Sequence, residues 1–183
     1  MAEPLRVLVI CTANICRSPA AEVLLRHHAM QAGIDLDVSS AGFLYDGEQA
    51  SEMMAKVMGE RGFDLDAHRS RLADCDMVAG ADAVVTMERR HGRELAARCG
   101  PRGIFTLRGL VAALGDLDGG DGSARDRLIA VESARRPGDL LGDGPDEVAD
   151  PFGKSIRVNR RTADDLDRLT EALAVLLAGE SST

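Results

Sequence analysis

A cysteine and an arginine separated by five residues stand where a strand is expected to give way to a helix. The apolar run Leu5–Ile10 ends at Cys11, and Arg17 and Ser18 open the next segment. The first amide groups of a helix have no intrahelical partner, the helix dipole favours an anion, and the guanidinium of Arg17 suits two phosphate oxygens. The same positive field favours the thiolate form of Cys11. The pattern therefore predicts a nucleophile and a phosphate cradle in one loop, which is the chemistry of phosphate ester cleavage.

Each of these residues also has an ordinary structural explanation. Cys11 could pack as a small apolar residue at a strand end, and Arg17 could be a solvated charge. Ser18 and Pro19 are typical of a helix start in any protein. The helix that follows is well marked, because Gly33 is a stop signal and apolar residues share one side: Ala20, Val23, Leu24 and Leu25. A strand, a short loop and a helix in this order favour the phosphate-binding interpretation.

Short apolar runs alternate with helical periods along the whole chain. Strands are predicted near residues 5–10, 37–40, 83–86 and 103–106, and helices near 18–32, 49–61, 88–98, 107–114 and 156–178. This alternation predicts an α/β fold with a single open four-stranded parallel sheet, helices on both faces, and the phosphate-binding loop after the first strand. The last helix has an apolar stripe with steps of three and four residues: Thr162, Leu166, Leu169, Leu173 and Leu176.

The composition of the 183 residues is that of an ordinary globular protein, and we expect one domain over residues 1–183. A formal net charge of −8 argues against nucleic-acid binding. No apolar run has the length of a membrane span, and the N-terminus lacks a secretory pattern. We therefore expect no membrane association and a cytoplasmic location, where a reducing environment keeps Cys11 as a free thiol.

A segment rich in Gly, Asp and Arg, at about residues 115–147, differs from the rest of the chain. Its middle, residues 123–136, is predicted to form a short helix whose inward positions would be Leu128, Ile129 and Val131. The flanks 119–122 and 138–144 have the composition of loops. The segment is either a surface insertion or a lid that selects substrates, because it leads directly into the acidic residues near position 150.

Several segments, in order, resemble the low-molecular-weight protein tyrosine phosphatase family. Residues 9–22 resemble the active-site loop of that family, and the later matches are Ser39-Ser40-Ala41-Gly42, residues 62–71, residues 83–87 and Asp150-Pro151-Phe152-Gly153. The resemblance covers about residues 5–114 and 148–178, and the segment 115–147 is longer than the family's usual connection. It implies hydrolysis of phosphate monoesters, most of all protein phosphotyrosine, through a cysteinyl-phosphate intermediate and without a cofactor. The implied partner is a phosphorylated protein such as a bacterial tyrosine kinase or its target.

The resemblance implies catalytic roles for four residues. Cys11 would attack phosphorus, Arg17 would hold the phosphate oxygens, and Ser18 would donate a hydrogen bond to the Cys11 sulfur. Asp150, whose backbone is restricted by Pro151, would protonate the leaving oxygen and then activate water. Without the resemblance the acid stays open among Asp150 and its neighbours Asp143, Asp146 and Glu147. The phosphate would also contact the loop amides of Thr12, Ala13, Asn14, Ile15, Cys16 and Arg17.

Further residues are implied to hold the loop and to form a substrate cleft. Asn14 would take a left-handed conformation and contact Ser18, Ser40 and His68. The cleft wall is expected to consist of Phe43, Leu44, Tyr45 and Phe152. Ile15 stands where arginine phosphatases of this family tend to carry threonine. Because an apolar side chain suits a phenyl ring, Ile15 favours phosphotyrosine over phosphoarginine.

Alternatives remain for the redox chemistry and for the function. Cys16 could form a reversible disulfide with Cys11 that protects the nucleophile, or it could simply pack. Thiol-dependent arsenate reduction is a second candidate, because related arsenate reductases share this fold and loop. It ranks below the phosphatase, since those reductases need a further redox cysteine after the third strand, where this chain has Met87. A phosphoprotein-binding module without turnover is the non-enzymatic alternative, against which the set of Cys11, Arg17 and Asp150 argues. The spacing of His and Cys matches no metal site, so we expect no metal and no cofactor. The oligomeric state is open.

Overall fold

A computed structural model of the chain describes residues 3–117, 122–136, 138–140 and 144–179. The described residues form four strands and seven helices: β1 (Leu5–Ile10), α1 (Arg17–Gln31), β2 (Leu36–Ala41), α2 (Glu52–Gly59), α3 (Cys75–Gly80), β3 (Ala83–Thr86), α4 (Arg89–Cys99), β4 (Ile104–Thr106), α5 (Leu107–Gly115), α6 (Ala124–Ala134) and α7 (Ile156–Ala178). The predicted strands and helices are present with small shifts at their ends. The short helix α3 was not predicted, because six residues carry too little of a helical period to be recognised.

The four strands are all parallel and lie in the order β2-β1-β3-β4. This confirms the predicted open four-stranded parallel sheet. The chain moves from β1 to one side for β2 and then to the other side for β3, so the direction of winding reverses beside β1. In open α/β sheets, ligands bind at such a switch point, beyond the carboxyl ends of the strands. The loop that begins at Cys11 occupies this position.

Alternation along β1 divides the core between the two faces of the sheet. Val7 and Val9 belong to the larger buried cluster, which includes residues of α1, α2, α5, α6 and α7. Leu8 and Ile10 belong to the smaller cluster beneath α3 and α4. Because successive side chains of a strand point to opposite faces, each face of the same strand needs its own cover of helices. The predicted helices on both faces are confirmed.

The segment 115–147 contains the predicted helix, α6, but one of its predicted core residues is wrong. Leu128 and Val131 are buried, whereas Ile129 is 56% exposed. Leu128 and Val131 are three residues apart and share the inner side, while Ile129 lies about 100° further around the helix. The flanking loops predicted at 119–122 and 138–144 lie partly outside the described residues. The single domain over residues 1–183 stays a prediction.

The four cysteines fall into two pairs. Cys75 and Cys99 form a disulfide that joins the start of α3 to the end of α4, and Cys11 and Cys16 are free. Spacing along the chain did not indicate the disulfide, because the packing of α3 against α4 brings its two cysteines together. No helix in the described ranges has both the length and the apolar character that a membrane span requires.

Candidate active site

The loop after β1 is held in its shape by one buried asparagine. Asn14 has a φ of 53°, the only positive value among the non-glycine residues described. Its side-chain amide donates to Ser18 Oγ at 2.9 Å and to Ser40 Oγ at 2.8 Å, and its Oδ1 accepts from the Arg71 N–H at 2.9 Å. His68 Nε2 donates to the Asn14 carbonyl at 2.7 Å. The structure thus brings together the four residues that the resemblance implied, and their hydrogen bonds offset the cost of the left-handed backbone.

Cys11 lies beside the hydroxyl of Ser18. Its sulfur is 3.1 Å from Ser18 Oγ, and both residues are buried. Ser18 Oγ already accepts a hydrogen bond from Asn14, so its own proton is available to the sulfur. The N-cap residue of α1, Cys16, makes no side-chain capping bond, which leaves the first amides of the helix for an anion. Both features stabilise a negative charge on Cys11.

Arg17 is buried, with 1% of its surface exposed, and is held by residues far away in sequence. Nη1 donates to Glu88 Oε1 at 2.6 Å and to the Val148 carbonyl at 2.8 Å. Nη2 lies 2.8 Å from Asp150 Oδ2 and 3.2 Å from Thr12 Oγ1. A buried guanidinium needs such partners, because an unpaired buried charge is costly. The predicted Arg17 and Asp150 therefore meet at one place.

Among the acids considered from the sequence, Asp150 is the one that faces the loop. Asp146 and Glu147 accept hydrogen bonds from the first residue of α4, at 2.7 Å and 3.1 Å. Asp143 lies outside the described residues. Asp150 is 42% exposed and lines the cavity above the loop, so its carboxyl group is in contact with solvent as well as with Arg17.

A cavity of about 80 Å³ opens above the loop. Its lining contains six residues of positions 11–17 together with Leu44, Tyr45, Asp150 and Phe152. Leu44, Tyr45 and Phe152 are exposed apolar side chains at the cavity. The predicted place of Phe43 in the wall was wrong, because its ring stacks on the imidazole of His91, 5.7 Å between centroids, and packs with the smaller core cluster.

Known proteins are similar to this chain in sequence and in fold. The family model described as low molecular weight phosphotyrosine protein phosphatase matches residues 6–119. The chain belongs to this family. A protein-arginine-phosphatase of Geobacillus stearothermophilus is 31% identical over 181 residues, which cover 97% of this chain and 99% of the relative. Low molecular weight protein-tyrosine phosphatase A of Mycobacterium tuberculosis is 34% identical over 159 residues, which cover 80% of this chain and 95% of that relative. The solution structure of a low molecular weight protein tyrosine phosphatase from Bacillus subtilis superposes with a TM-score of 0.73 at 27% identity. The superposition covers 94% of this chain and 97% of that structure.

Sequence reasoning missed three residues beside the phosphatase loop: Glu88, Arg90 and His91. All three follow β3, whose carboxyl end lies next to that of β1. Burial alone would raise the pKa of Glu88, but hydrogen bonds from Arg90 and Arg17 lower it to about 2. Glu88 therefore remains a carboxylate and counters the buried charge of Arg17. The available signal was position, since residues just after a strand next to β1 are candidates for the same site.

The second thiol of the phosphatase loop is chemically unlike a nucleophile. Cys16 Sγ lies 2.8 Å from Ser51 Oγ, and burial raises the pKa of Cys16 to about 11. Cys16 is therefore a neutral thiol at pH 7 and does not compete with Cys11. A protective disulfide between these two free cysteines stays a prediction.

The histidines and acids of this phosphatase do not assemble into a metal site in the part of the chain that the structure describes. No three His, Cys, Asp or Glu side chains there are grouped so that they could hold an ion. The cavity is instead lined by Arg17 and by the loop that leads into the N-terminus of α1, and a guanidinium group and free helix amides suit an anion.

Proposed function

We propose that the protein hydrolyses phosphotyrosine in protein substrates through a cysteinyl-phosphate intermediate. The observation that carries the proposal is the convergence of Cys11, Arg17 and Asp150 on one small cavity at the end of β1. A thiol, a buried cation and a half-exposed carboxyl group are the nucleophile, the phosphate clamp and the proton carrier that the reaction needs. Family membership supports the same reaction class.

In the first step, the Cys11 thiolate attacks phosphorus, a P–S bond forms and the bond to the phenolic oxygen breaks. Arg17 and the loop amides bind the other phosphate oxygens as charge redistributes. Asp150 gives its proton to the departing phenolic oxygen. Asp150 lies 2.8 Å from Arg17 Nη2, and a phosphate oxygen bound at this nitrogen would release the carboxyl group toward the leaving oxygen.

In the second step, water replaces the sulfur. Asp150, now a carboxylate, accepts a proton from the water as its oxygen attacks phosphorus and the P–S bond breaks. Cys11 leaves as a thiolate, which the Ser18 hydroxyl at 3.1 Å stabilises, and inorganic phosphate is released. Both steps use only side chains and backbone amides of this chain together with water, so the proposed reaction includes no step through a metal or cofactor.

The choice of phosphotyrosine is supported by the apolar lining of the cavity. Ile15 lines it beside Leu44, Tyr45 and Phe152, and Asp150 is the only carboxylate among the lining residues described. A flat phenyl ring gains from such apolar contacts, whereas the guanidinium group of phosphoarginine would need acceptors that the proton carrier cannot also supply.

Phosphoarginine is the second candidate, because a protein-arginine-phosphatase relative aligns with nearly the whole chain. Matched peptides that carry phosphotyrosine or phosphoarginine at the same position decide between the two. We expect a higher kcat/KM for phosphotyrosine, with Cys11→Ser inactive on both. A higher kcat/KM for phosphoarginine would reverse the assignment. Release of para-nitrophenol from para-nitrophenyl phosphate shows turnover, which a phosphoprotein-binding module would lack.

Arsenate reduction finds less support in the structure. Such a reaction needs a series of thiols that pass oxidation away from the nucleophile. Cys75 and Cys99 are bonded to each other between α3 and α4, and neither lines the cavity of Cys11. An assay of arsenate reduction with thioredoxin or glutathione as reductant tests this alternative.

The substrate we propose is a phosphorylated protein in the bacterial cytoplasm, such as a tyrosine kinase or its target. The requirement for a free thiol at Cys11 supports this location. A Cys11→Ser variant forms no thiophosphate bond and should retain its phosphoprotein through a pull-down from native lysate. Recovery of an exported protein would contradict the cytoplasmic assignment.

A further inference from the structure

Three side chains converge on one hydroxyl oxygen of the phosphate-binding loop. Thr12 Oγ1 lies 3.2 Å from Nη2 of Arg17, 2.8 Å from Nη2 of Arg90 and 2.9 Å from Nε2 of His91. Thr12 also lines the active-site cavity. The hydroxyl group therefore connects the buried guanidinium, an exposed guanidinium and a buried imidazole at the edge of the site.

The direction of these hydrogen bonds follows from counting protons. Guanidinium groups only donate, so Thr12 Oγ1 accepts from both Arg17 and Arg90 and uses its two lone pairs. A third donor cannot be accommodated, and the hydroxyl proton still needs an acceptor. His91 Nε2 is the remaining partner of the hydroxyl proton at hydrogen-bonding distance. Nε2 itself has no other partner that close, because Glu88 Oε1 lies 3.7 Å from it.

The count therefore requires a neutral imidazole whose proton is on Nδ1. Nδ1 of His91 is buried without a hydrogen-bond partner, so its surroundings do not select a tautomer. The contact of Nε2 with the Thr12 hydroxyl therefore selects it. Burial lowers the pKa of His91 to about 4, which agrees with a neutral ring at pH 7.

We propose that His91 is a positioning residue: it accepts the hydroxyl proton of Thr12, so that both lone pairs of this oxygen face the guanidinium groups of Arg17 and Arg90. The inference rests on the proposed function, because its consequence is a correctly aimed phosphate clamp. Nη2 of Arg17 is shared between Thr12 and Asp150. Without the Thr12 contact, Nη2 of Arg17 keeps only the half-exposed carboxyl group of Asp150 as a partner and is no longer held toward the loop.

The tautomer can be measured without any substrate. Nitrogen NMR of ¹⁵N-histidine-labelled protein at pH 7 should show the His91 proton on Nδ1 and an unprotonated Nε2. The Thr12→Val variant removes the hydroxyl and should change the His91 Nε2 shift most among the four histidines. A proton on Nε2 in the wild-type protein would overturn the inference, whatever the activity of the enzyme.

Variants test the consequence for the clamp, with inorganic phosphate as the probe in calorimetric titration. Thr12→Val removes the hydrogen bonds to both guanidinium groups, and His91→Phe leaves the Thr12 hydroxyl proton without its acceptor, so each should weaken phosphate binding about tenfold. His91→Phe keeps a ring against Phe43, and His91→Gln places an acceptor near Nε2 and should restore most of the affinity. His28→Phe is the matched control, because His28 is a partly buried histidine paired with Asp167 and does not line the cavity.

Coupling between the two substitutions separates positioning from packing. If His91 acts through the Thr12 hydroxyl, the double variant binds phosphate no more weakly than Thr12→Val alone. Additive losses, or a loss that His91→Gln does not restore, would show that the imidazole only packs. Hydrolysis of para-nitrophenyl phosphate by the wild-type protein is measured in parallel. An inactive wild type would refute the proposed function, whereas an active wild type with additive losses would refute the role of His91 alone.

Discussion

Replacing Glu88 by glutamine tests how the buried Arg17 is kept in place. Glu88 Oε1 lies 2.6 Å from Arg17 Nη1, and Arg90 donates to Oε2 of the same carboxylate at 2.5 Å. Glu88→Gln keeps the size of the side chain but removes its charge. The buried guanidinium then depends on the half-exposed Asp150 for its remaining ion pair.

The size of the effect follows from the pKa of Glu88, which falls from 4.5 to about 2 in the folded protein. A carboxyl group whose pKa is lowered by folding stabilises the fold above its unfolded pKa, and this stability is lost as the pH falls toward the folded value. A pKa difference of this size stabilises the folded state by about 3 kcal/mol at pH 7 and by about 2 kcal/mol at pH 3.5. The stability gap between the wild type and Glu88→Gln should therefore narrow by about 1 kcal/mol between these pH values.

Urea unfolding followed by circular dichroism at pH 7, 5 and 3.5 measures this gap. Glu94→Gln, in the helix α4 that Glu88 precedes, is the control, because it removes only an exposed ion pair with Arg98, worth at most about 1 kcal/mol. Phosphate affinity should fall for Glu88→Gln and stay constant for Glu94→Gln. If the unfolding free energies of the wild type and Glu88→Gln run parallel from pH 7 to 3.5, the carboxylate does not stabilise Arg17 as argued.

Three further predictions concern the acid, the loop and the disulfide. Asp150→Asn should lower kcat for phenyl phosphates about 10²- to 10⁴-fold with little change in phosphate binding, and an unchanged kcat would place the acid elsewhere. Gly42→Ala should abolish phosphate binding in calorimetry, because its Cβ would lie 2.7 Å from a backbone nitrogen of the phosphate-binding loop. Gly59→Ala meets nothing within 4 Å and should bind normally, so equal affinities would contradict the clash. Joint replacement of Cys75 and Cys99 by serine should cost about 3 kcal/mol of unfolding free energy without altering kinetics. Four free thiols in the purified wild-type protein would contradict the disulfide.

Most of the predicted features that the structure contains depend on contacts along a short stretch of chain, whereas the contacts of Asn14 with Ser40 and His68 were implied by the resemblance. The apolar strand, the loop and the helix from Leu5 to Gln31 follow from side-chain alternation, helical periodicity and the sterics that let asparagine adopt the left-handed conformation. Cys11 and Ser18 are seven residues apart and meet because one tight loop joins them. Alternating elements were likewise enough to predict the parallel sheet.

The surroundings of Arg17 were decided by the tertiary structure. Its partners Glu88 and Val148 lie 71 and 131 residues away in sequence, and no spacing rule reaches so far. Strand order places the end of β3 beside the end of β1, and this neighbourhood brings Glu88 and His91 to the loop.

Packing also decided where residues of similar chemistry point. Phe43 turns from the expected cleft to stack on His91, while Leu44 and Tyr45 line the cavity. The sequence by itself determined the fold class and predicted the nucleophile and the anion-binding loop, because these depend on local geometry. The resemblance had selected Asp150 among the neighbouring acids, but only the tertiary structure decided that it pairs with Arg17 and which side chains form the wall, because burial selects among equal residue types only when distant elements come together.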